Sequence, residues 1–170
     1  PAPTPTPARV PAPTPTPAAA IGGTLRVAVA SFGRELLTPS KSTSGEGGLY
    51  VAPMFDTLVW ANEDGTLAPG VAQRWEMAPD GMSWTLQLRP DMKFHNGDPL
   101  TGEDVKFSYE QMMKPEALAN VAPVFRVSVE SLSVISPTSV RVNLKKPWAL
   151  MNYDISMRAG PDGSVVPKAY

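Results

Sequence analysis

Residues 21–170 predict an α+β architecture, or the antiparallel part of a larger α/β protein, because their elements read in the order strand, helix, hairpin, helix, hairpin. Three observations carry that prediction. Residues 82–89 alternate apolar with polar side chains, residues 101–113 join a helix cap to an apolar stripe at helical spacing, and extended runs flank the Ser-Pro-Thr-Ser turn at 136–139.

The first twenty residues stand apart. "PAPTPTPA" occurs at residues 1–8 and again at 11–18, and such a tract buries no apolar surface. It is expected to be a disordered Pro/Thr-rich linker over residues 1–20, near polyproline II, reaching about 60 Å at roughly 3.1 Å per residue. Its threonines are candidate glycan acceptors. The chain opens on proline rather than methionine, so a processed start or a fragment is expected.

Residues 21–170 are long enough to close one hydrophobic core without metal or disulfide staples. With 15 Lys plus Arg against 16 Asp plus Glu, the formal charge is −1, and no basic cluster is dense enough to follow a phosphate backbone. Nucleic acid is excluded as an expected partner. No apolar run approaches the roughly 20 residues of a membrane-spanning helix. Cysteine is absent, which removes thiolate nucleophiles, zinc ribbons and disulfides.

The elements follow in order. Leu25, Val27 and Val29 alternate in "GGTLRVAVAS" and predict a buried strand from about Thr24. A polar, glycine-rich loop follows. Over residues 49–60, Leu49, Met54 or Phe55, Leu58 and Val59 fall at helical spacing, and a helix is expected there, with Pro53 in its first turn or at a kink. Asp64-Gly65 and Asp80-Gly81 mark turns on either side of a short strand in "VAQRWEM". Met82, Trp84, Leu86 and Leu88 then define the inward face of a half-buried antiparallel strand. Thr101 with Asp104 three positions on forms an aspartate variant of the capping box; Val105, Tyr109 and Met112 or Met113 make the buried stripe, and Pro115 limits the helix. Val127, Val129, Leu132 and Val134 predict extended structure, and Val140, Val142 and Leu144 face inward from the strand after the turn. "KKPWALMNYDISM" predicts a short helical turn packed by Trp148 and Leu150.

The chemistry-bearing residues are few. His95 is the sole histidine, and a metal there would have to recruit Asp91, Asn96 or Asp98 from the same turn, a poor set beside the two or more His or Cys ligands that transition metals usually draw. His95 is therefore expected to pack beside Phe94 and hold the turn through a ring nitrogen. Glu103 with Asp104, and Glu63 with Asp64, are adjacent pairs whose side chains diverge, so capping and turn formation account for them better than acid/base catalysis. There is no Gly-x-Ser-x-Gly elbow, and Gly45–Gly48 lacks the lysine and hydroxyl of a phosphate loop. Trp84 and Trp148 are expected in the core, while Trp60 and Trp75 are equally suited to core or ligand stacking. No catalytic residue, metal or cofactor is assigned.

The ordered series "DTLV", "DGTLAPGVAQRWE", "DGMSWTLQLRPDMKFHNGDPLTGEDVKFSYE", "VRVNLKKPWALM" and "VVPKAY" resembles the extracellular solute-binding proteins of family 5, the peptide and nickel binders of ABC transporters, across residues 22–170. The resemblance implies a periplasmic-binding-protein-like type II fold, with residues 21–170 as the amino-terminal part of lobe I and its antiparallel subdomain, the second lobe lying elsewhere. It implies capture of oligopeptides or dipeptides outside the cytoplasmic membrane and delivery to a permease and ATPase complex, by a monomer whose only membrane attachment is a lipid anchor upstream of Pro1. Nickel, haem or an oligosaccharide are the alternative solutes, and a sensor or adhesion module, or a linker-tethered hydrolase, the alternative roles. The acidic residue that meets a peptide's amino terminus in the family falls outside this chain. By its place after the first strand, the loop Phe32–Gly48 is the expected contributor, with Phe32, Ser42, Thr43, Ser44, Gly45 and Glu46 as ligand-binding candidates. "TPSKSTSGEGG" departs there from the aspartate-proline of many relatives, which leaves the ligand class open.

Overall fold

The computed structural model describes residues 24, 26, 28, 38–41, 53–156 and 163–169. The expected first strand, with Leu25, Val27 and Val29, and the loop candidates Phe32 and Ser42–Glu46 lie outside the described residues.

The main layer is a four-stranded antiparallel sheet built from β3 (Ala72–Met77), β4 (Ser83–Leu88), β5 (Val129–Ser136) and β6 (Ser139–Leu144), in the order β3-β4-β6-β5. Within β4 the alternation holds, with Trp84, Leu86 and Leu88 buried and Ser83, Thr85 and Gln87 between them half-buried; Met82, expected on the same inward face, precedes the strand and is 36% exposed. In β6, Val140, Val142 and Leu144 are buried on the same face, because Trp84 pairs with Val142 and Leu86 with Val140. The other face is polar and laced by side chains. Asn143 Nδ2 donates to Ser131 Oγ at 3.0 Å and to Ser133 Oγ at 3.2 Å, and Gln87 Nε2 donates to Ser139 Oγ at 3.0 Å.

Helix α1 (Gly102–Met113) covers the apolar face through Val105, Tyr109 and Met112, all buried. Its start is set by the expected capping box. Asp104 Oδ2 accepts the Thr101 backbone N–H at 2.9 Å and the Thr101 hydroxyl at 2.8 Å. It ends at Met113, where Lys114, the residue before Pro115, turns to extended backbone. A short helix, α2 (Ala122–Ser128), packs beside it and brings in Phe125, whose ring lies 5.0 Å from that of Tyr109 and 5.3 Å, edge-on, from that of Trp148. Trp84 and Trp148 are core residues as expected, and both indoles are satisfied: Trp84 Nε1 donates to the Trp148 carbonyl at 3.0 Å and Trp148 Nε1 to Asp154 at 2.8 Å. Trp60 is 40% exposed and Trp75 half-buried.

Four further expectations are corrected. The described part of the helix expected over residues 49–60, residues 53–60, is nowhere helical: β1 (Val59–Ala61) pairs antiparallel with β2 (Leu67–Pro69) around the Asp64-Gly65 turn, where Gly65 takes φ 86°. Val127 belongs to α2 rather than to an extended run, because Pro123 starts a helix that buries Phe125 and Ser128 and leaves Val127 57% exposed. The turn of α3 (Met151–Asp154) is packed by Trp148 and Met151, not by Leu150, which is 65% exposed. His95 is exposed and does not hold its turn. The Phe94 N–H donates to the Asp98 carbonyl at 2.9 Å, and Asn96 and Asp98 bond each other through side chain and backbone at 2.7 and 3.1 Å.

The Asp64 turn carries a pH dependence. The Thr66 hydroxyl, donating at 2.7 Å, and the Thr66 backbone N–H, at 2.9 Å, hold the Asp64 carboxyl below its ordinary value. A depressed carboxylate contributes its stabilisation above the unfolded-state pKa and loses it as pH falls through the folded value. The β1–β2 turn is therefore expected to loosen only under acid, seen as a lower protection factor of the Thr66 amide relative to its intrinsic exchange rate at each pH. Asp64→Asn abolishes that pH step; a step that persists in the variant contradicts the assignment.

Candidate functional site

Three elements meet at a cleft of about 1090 Å³. One wall is the face of α1 that carries Phe107, Ser108, Gln111 and Met112. A second is the turn of residues 92–96, held by the Asn96–Asp98 bonds, with Met92 and Phe94 turned to the cleft. The third combines residues 53–56 with the 3₁₀ turn Pro39–Lys41, and this turn is moored because the Ser40 carbonyl accepts the N–H groups of Leu118 and Ala119 at 2.9 and 3.2 Å.

Residues 164–167 form the floor. They lie beside residues 56–58, bridged antiparallel at Thr57 and Ser164, where Leu58 N–H donates to the Gly163 carbonyl at 3.0 Å and Val165 N–H to the Asp56 carbonyl at 3.1 Å. Ser164 is fully buried there, and its hydroxyl has no hydrogen-bond partner among the described residues.

The lining is mostly apolar, from Met54, Phe55, Met92, Phe94 and Phe107, with Lys41, Lys93, Gln111 and Asp56 as its long polar or charged groups. That composition and volume suit a small solute held by apolar contact and oriented by a few polar groups. Asp56 is already engaged, since its Oδ1 accepts the Thr57 N–H at 2.9 Å and the Trp60 indole N–H at 2.8 Å. Asp56 keeps its negative charge, while Lys41 and Lys93 are the lysines of the lining and suit a carboxylate. His95 lines the cleft, yet no serine, carboxylate or amide of the described residues bonds it, so no nucleophile and base are aligned there. Among the described residues no group of three His, Cys, Asp or Glu gathers to hold a metal. No described helix is long and apolar enough to cross a membrane.

The candidates Phe32, Ser42, Thr43, Ser44, Gly45 and Glu46 lie outside the described residues; the described Thr38–Lys41, just before Ser42, line the cleft. Glu103 and Asp104 are both engaged structurally: Glu103 pairs with Lys168 Nζ at 3.0 Å, while Asp104 holds the cap through Oδ2 and accepts the Lys168 backbone N–H through Oδ1 at 2.9 Å. From sequence, Phe94 and Met112 are packing residues and Met92 and Phe107 carry no assignment. Their shared cleft depends on residues far apart in the chain, and no local periodicity reports it.

The family described as "Bacterial extracellular solute-binding proteins, family 5 Middle" matches residues 66–166. The periplasmic oligopeptide-binding protein OppA of Haemophilus influenzae is 39% identical over 69 residues, covering 41% of this chain and 13% of that protein. Di/tripeptide-binding protein 2 of Pseudomonas aeruginosa is 29% identical over 150 residues, covering 78% of this chain and 28% of that protein. Among solved structures, NikA from Brucella suis in complex with Fe(III)-EDTA superimposes with a TM-score of 0.67 at 29% identity, covering 78% of this chain and 26% of that one. The chain thus spans under a third of the length of these relatives.

Proposed function

The chain belongs to the bacterial extracellular solute-binding proteins of family 5, and from that premise we propose that it forms part of the substrate-binding component of an ABC transporter, capturing oligopeptides or dipeptides outside the cytoplasmic membrane and delivering them to a permease and ATPase complex. The fold is that of the type II periplasmic binding proteins, with mixed helices and antiparallel sheets. The observation that carries the functional reading is the family match across residues 66–166 together with relatives named for oligopeptides and di- or tripeptides.

The physical mechanism is closure without bond chemistry. A clamp of this kind shifts between open and closed only through contacts that differ between the two states, so ligand has to touch both lobes to hold it shut. This chain supplies one jaw: a rigid sheet-and-helix layer, a cleft beside it, and lysines on the rim that complement a peptide's carboxylate. The partner lobe supplies the rest, including the acid for the peptide's amino terminus. The loop Phe32–Gly48, with Phe32 and Ser42–Glu46, is proposed as the further contributor from this jaw. The Pro/Thr tract of residues 1–20 serves as the tether to a lipid anchor upstream.

A second reading, a chelated metal as solute, is favoured by the likeness to NikA. One experiment separates the two: the intact protein is purified without denaturation, then unfolded, and the released solute is identified by mass spectrometry alongside metal analysis. Short peptides are expected. Stoichiometric metal with an organic chelator and no peptide would replace the first reading by the second.

A further inference from the structure

The segment that floors the cleft bonds residues 56–58 through the Gly163 carbonyl and the Val165 N–H, which leaves the N–H groups of Val166 and Lys168 to be met elsewhere. Helix α1 meets them with side chains. Val166 N–H donates to Ser108 Oγ at 2.9 Å, and Lys168 N–H donates to Asp104 Oδ1 at 2.9 Å. Asp104 and Ser108 sit one helical turn apart, about 6 Å of rise, and their partners Val166 and Lys168 flank Pro167, which has no N–H of its own to place. Each acceptor is itself pinned. Ser108 donates its hydroxyl to the Asp104 carbonyl at 2.7 Å, and Asp104 keeps its second oxygen, Oδ2, on the Thr101 cap. Both residues are buried, Asp104 at 9% and Ser108 at 2% exposure.

We infer that Asp104 and Ser108 are positioning residues for solute binding: they strap the floor of the cleft, residues 164–168, to the helix that forms its wall, and so set the shape that a solute meets. This rests on the solute-binding reading given above for its functional consequence, though the strap itself does not. The neighbouring Lys168–Glu103 pair, with both side chains more than half exposed, adds little.

Asp104 offers a specific diagnostic. Its carboxylate serves the cap with one oxygen and the strap with the other, whereas an asparagine has a single acceptor oxygen and can serve only one of them. The test is amide hydrogen exchange on the intact protein carrying Asp104→Asn, Ser108→Ala or, as control, Thr101→Val, with solute affinity measured on the same samples. In Ser108→Ala the Val166 amide is expected to exchange about tenfold faster, and in Asp104→Asn the Lys168 amide by about the same factor, with the rest of the sheet unchanged. Thr101→Val weakens the cap alone, so α1's first turn speeds up while Val166 and Lys168 keep their rates. Affinity for the co-purifying solute is expected to fall several-fold in Asp104→Asn, whose side chain does not line the cleft, and to stay unchanged in Thr101→Val. Unchanged exchange at Val166 and Lys168 in both strap variants overturns the inference, and so does equal loosening in the Thr101 control. If no solute is found, the solute-binding reading fails while the exchange results still decide the strap.

Discussion

Replacing Gly70 with alanine is expected to lower the melting temperature by about 10 °C, the consequence of a loss of roughly 3 kcal/mol in a domain of this size. Gly70 sits where the chain leaves β2 and enters β3 directly across the backbone of residues 57–58. A Cβ there would run into the Thr57 carbonyl oxygen and lie 3.0 Å from both the Leu58 carbonyl and the Trp60 ring. Those two carbonyls are already committed, accepting the N–H groups of Val71 at 2.9 Å and Ala72 at 3.0 Å. The added methyl cannot be absorbed by a rotamer change, because backbone rather than a flexible side chain is in the way. Relief means separating residues 57–58 from residues 71–72 and breaking both bonds. Thermal denaturation followed by circular dichroism measures this; a shift below about 2 °C would show that the backbone gives way cheaply.

Phe125→Ala is expected to cost about 3–5 kcal/mol, the usual range for emptying a buried aromatic site. Phe125 is fully buried and touches the two rings that join the helical layer to the end of the sheet, Tyr109 at 5.0 Å and Trp148 edge-on at 5.3 Å. Its loss leaves a hole between α1, α2 and residue 148, which these elements cannot close, since Trp148 is tied to Asp154 and its carbonyl to Trp84. Phe125→Leu refills part of the volume and is expected to lose less. Chemical denaturation of both variants is the check, and equal stabilities for alanine and leucine would contradict a packed aromatic cluster.

Much of the sheet and its covering helix was legible because each depends on short-range rules. The alternation of residues 82–89, the Thr101–Asp104 cap and the strand at 139–144 each point to one face, and those faces meet. Residues 59–61 escaped because a short apolar run fits helix and strand spacing alike, and the deciding facts are tertiary: a glycine-turned hairpin and the close approach at Gly70. Val127 misled for a related reason. Val127 and Val129, with Leu132 and Val134, fit an extended run, while Pro123 at the first helical turn is the signal that a helix begins. Leu150 and His95 were judged by their neighbours in sequence rather than by depth.

The candidate site was legible only as a family resemblance. Its ligand candidates in the loop Phe32–Gly48 lie outside the described residues, and the cleft itself joins residues 38–41, 53–56, 92–96, 107–112 and 164–167, whose proximity no local pattern encodes. The strap between α1 and residues 164–168 is of the same kind. Asp104 was legible as a cap, but its second partner lies 64 residues away.

The central claim is that this chain is one jaw of a binding clamp that holds a solute without transforming it. Calorimetric titration of the intact protein with its released solute, followed by mass spectrometry of the recovered ligand, tests it directly. One solute bound per protein, with a negative heat-capacity change from apolar burial and the ligand recovered intact, is the expected result. A ligand recovered cleaved or otherwise converted, or no saturable binding at all, would contradict it.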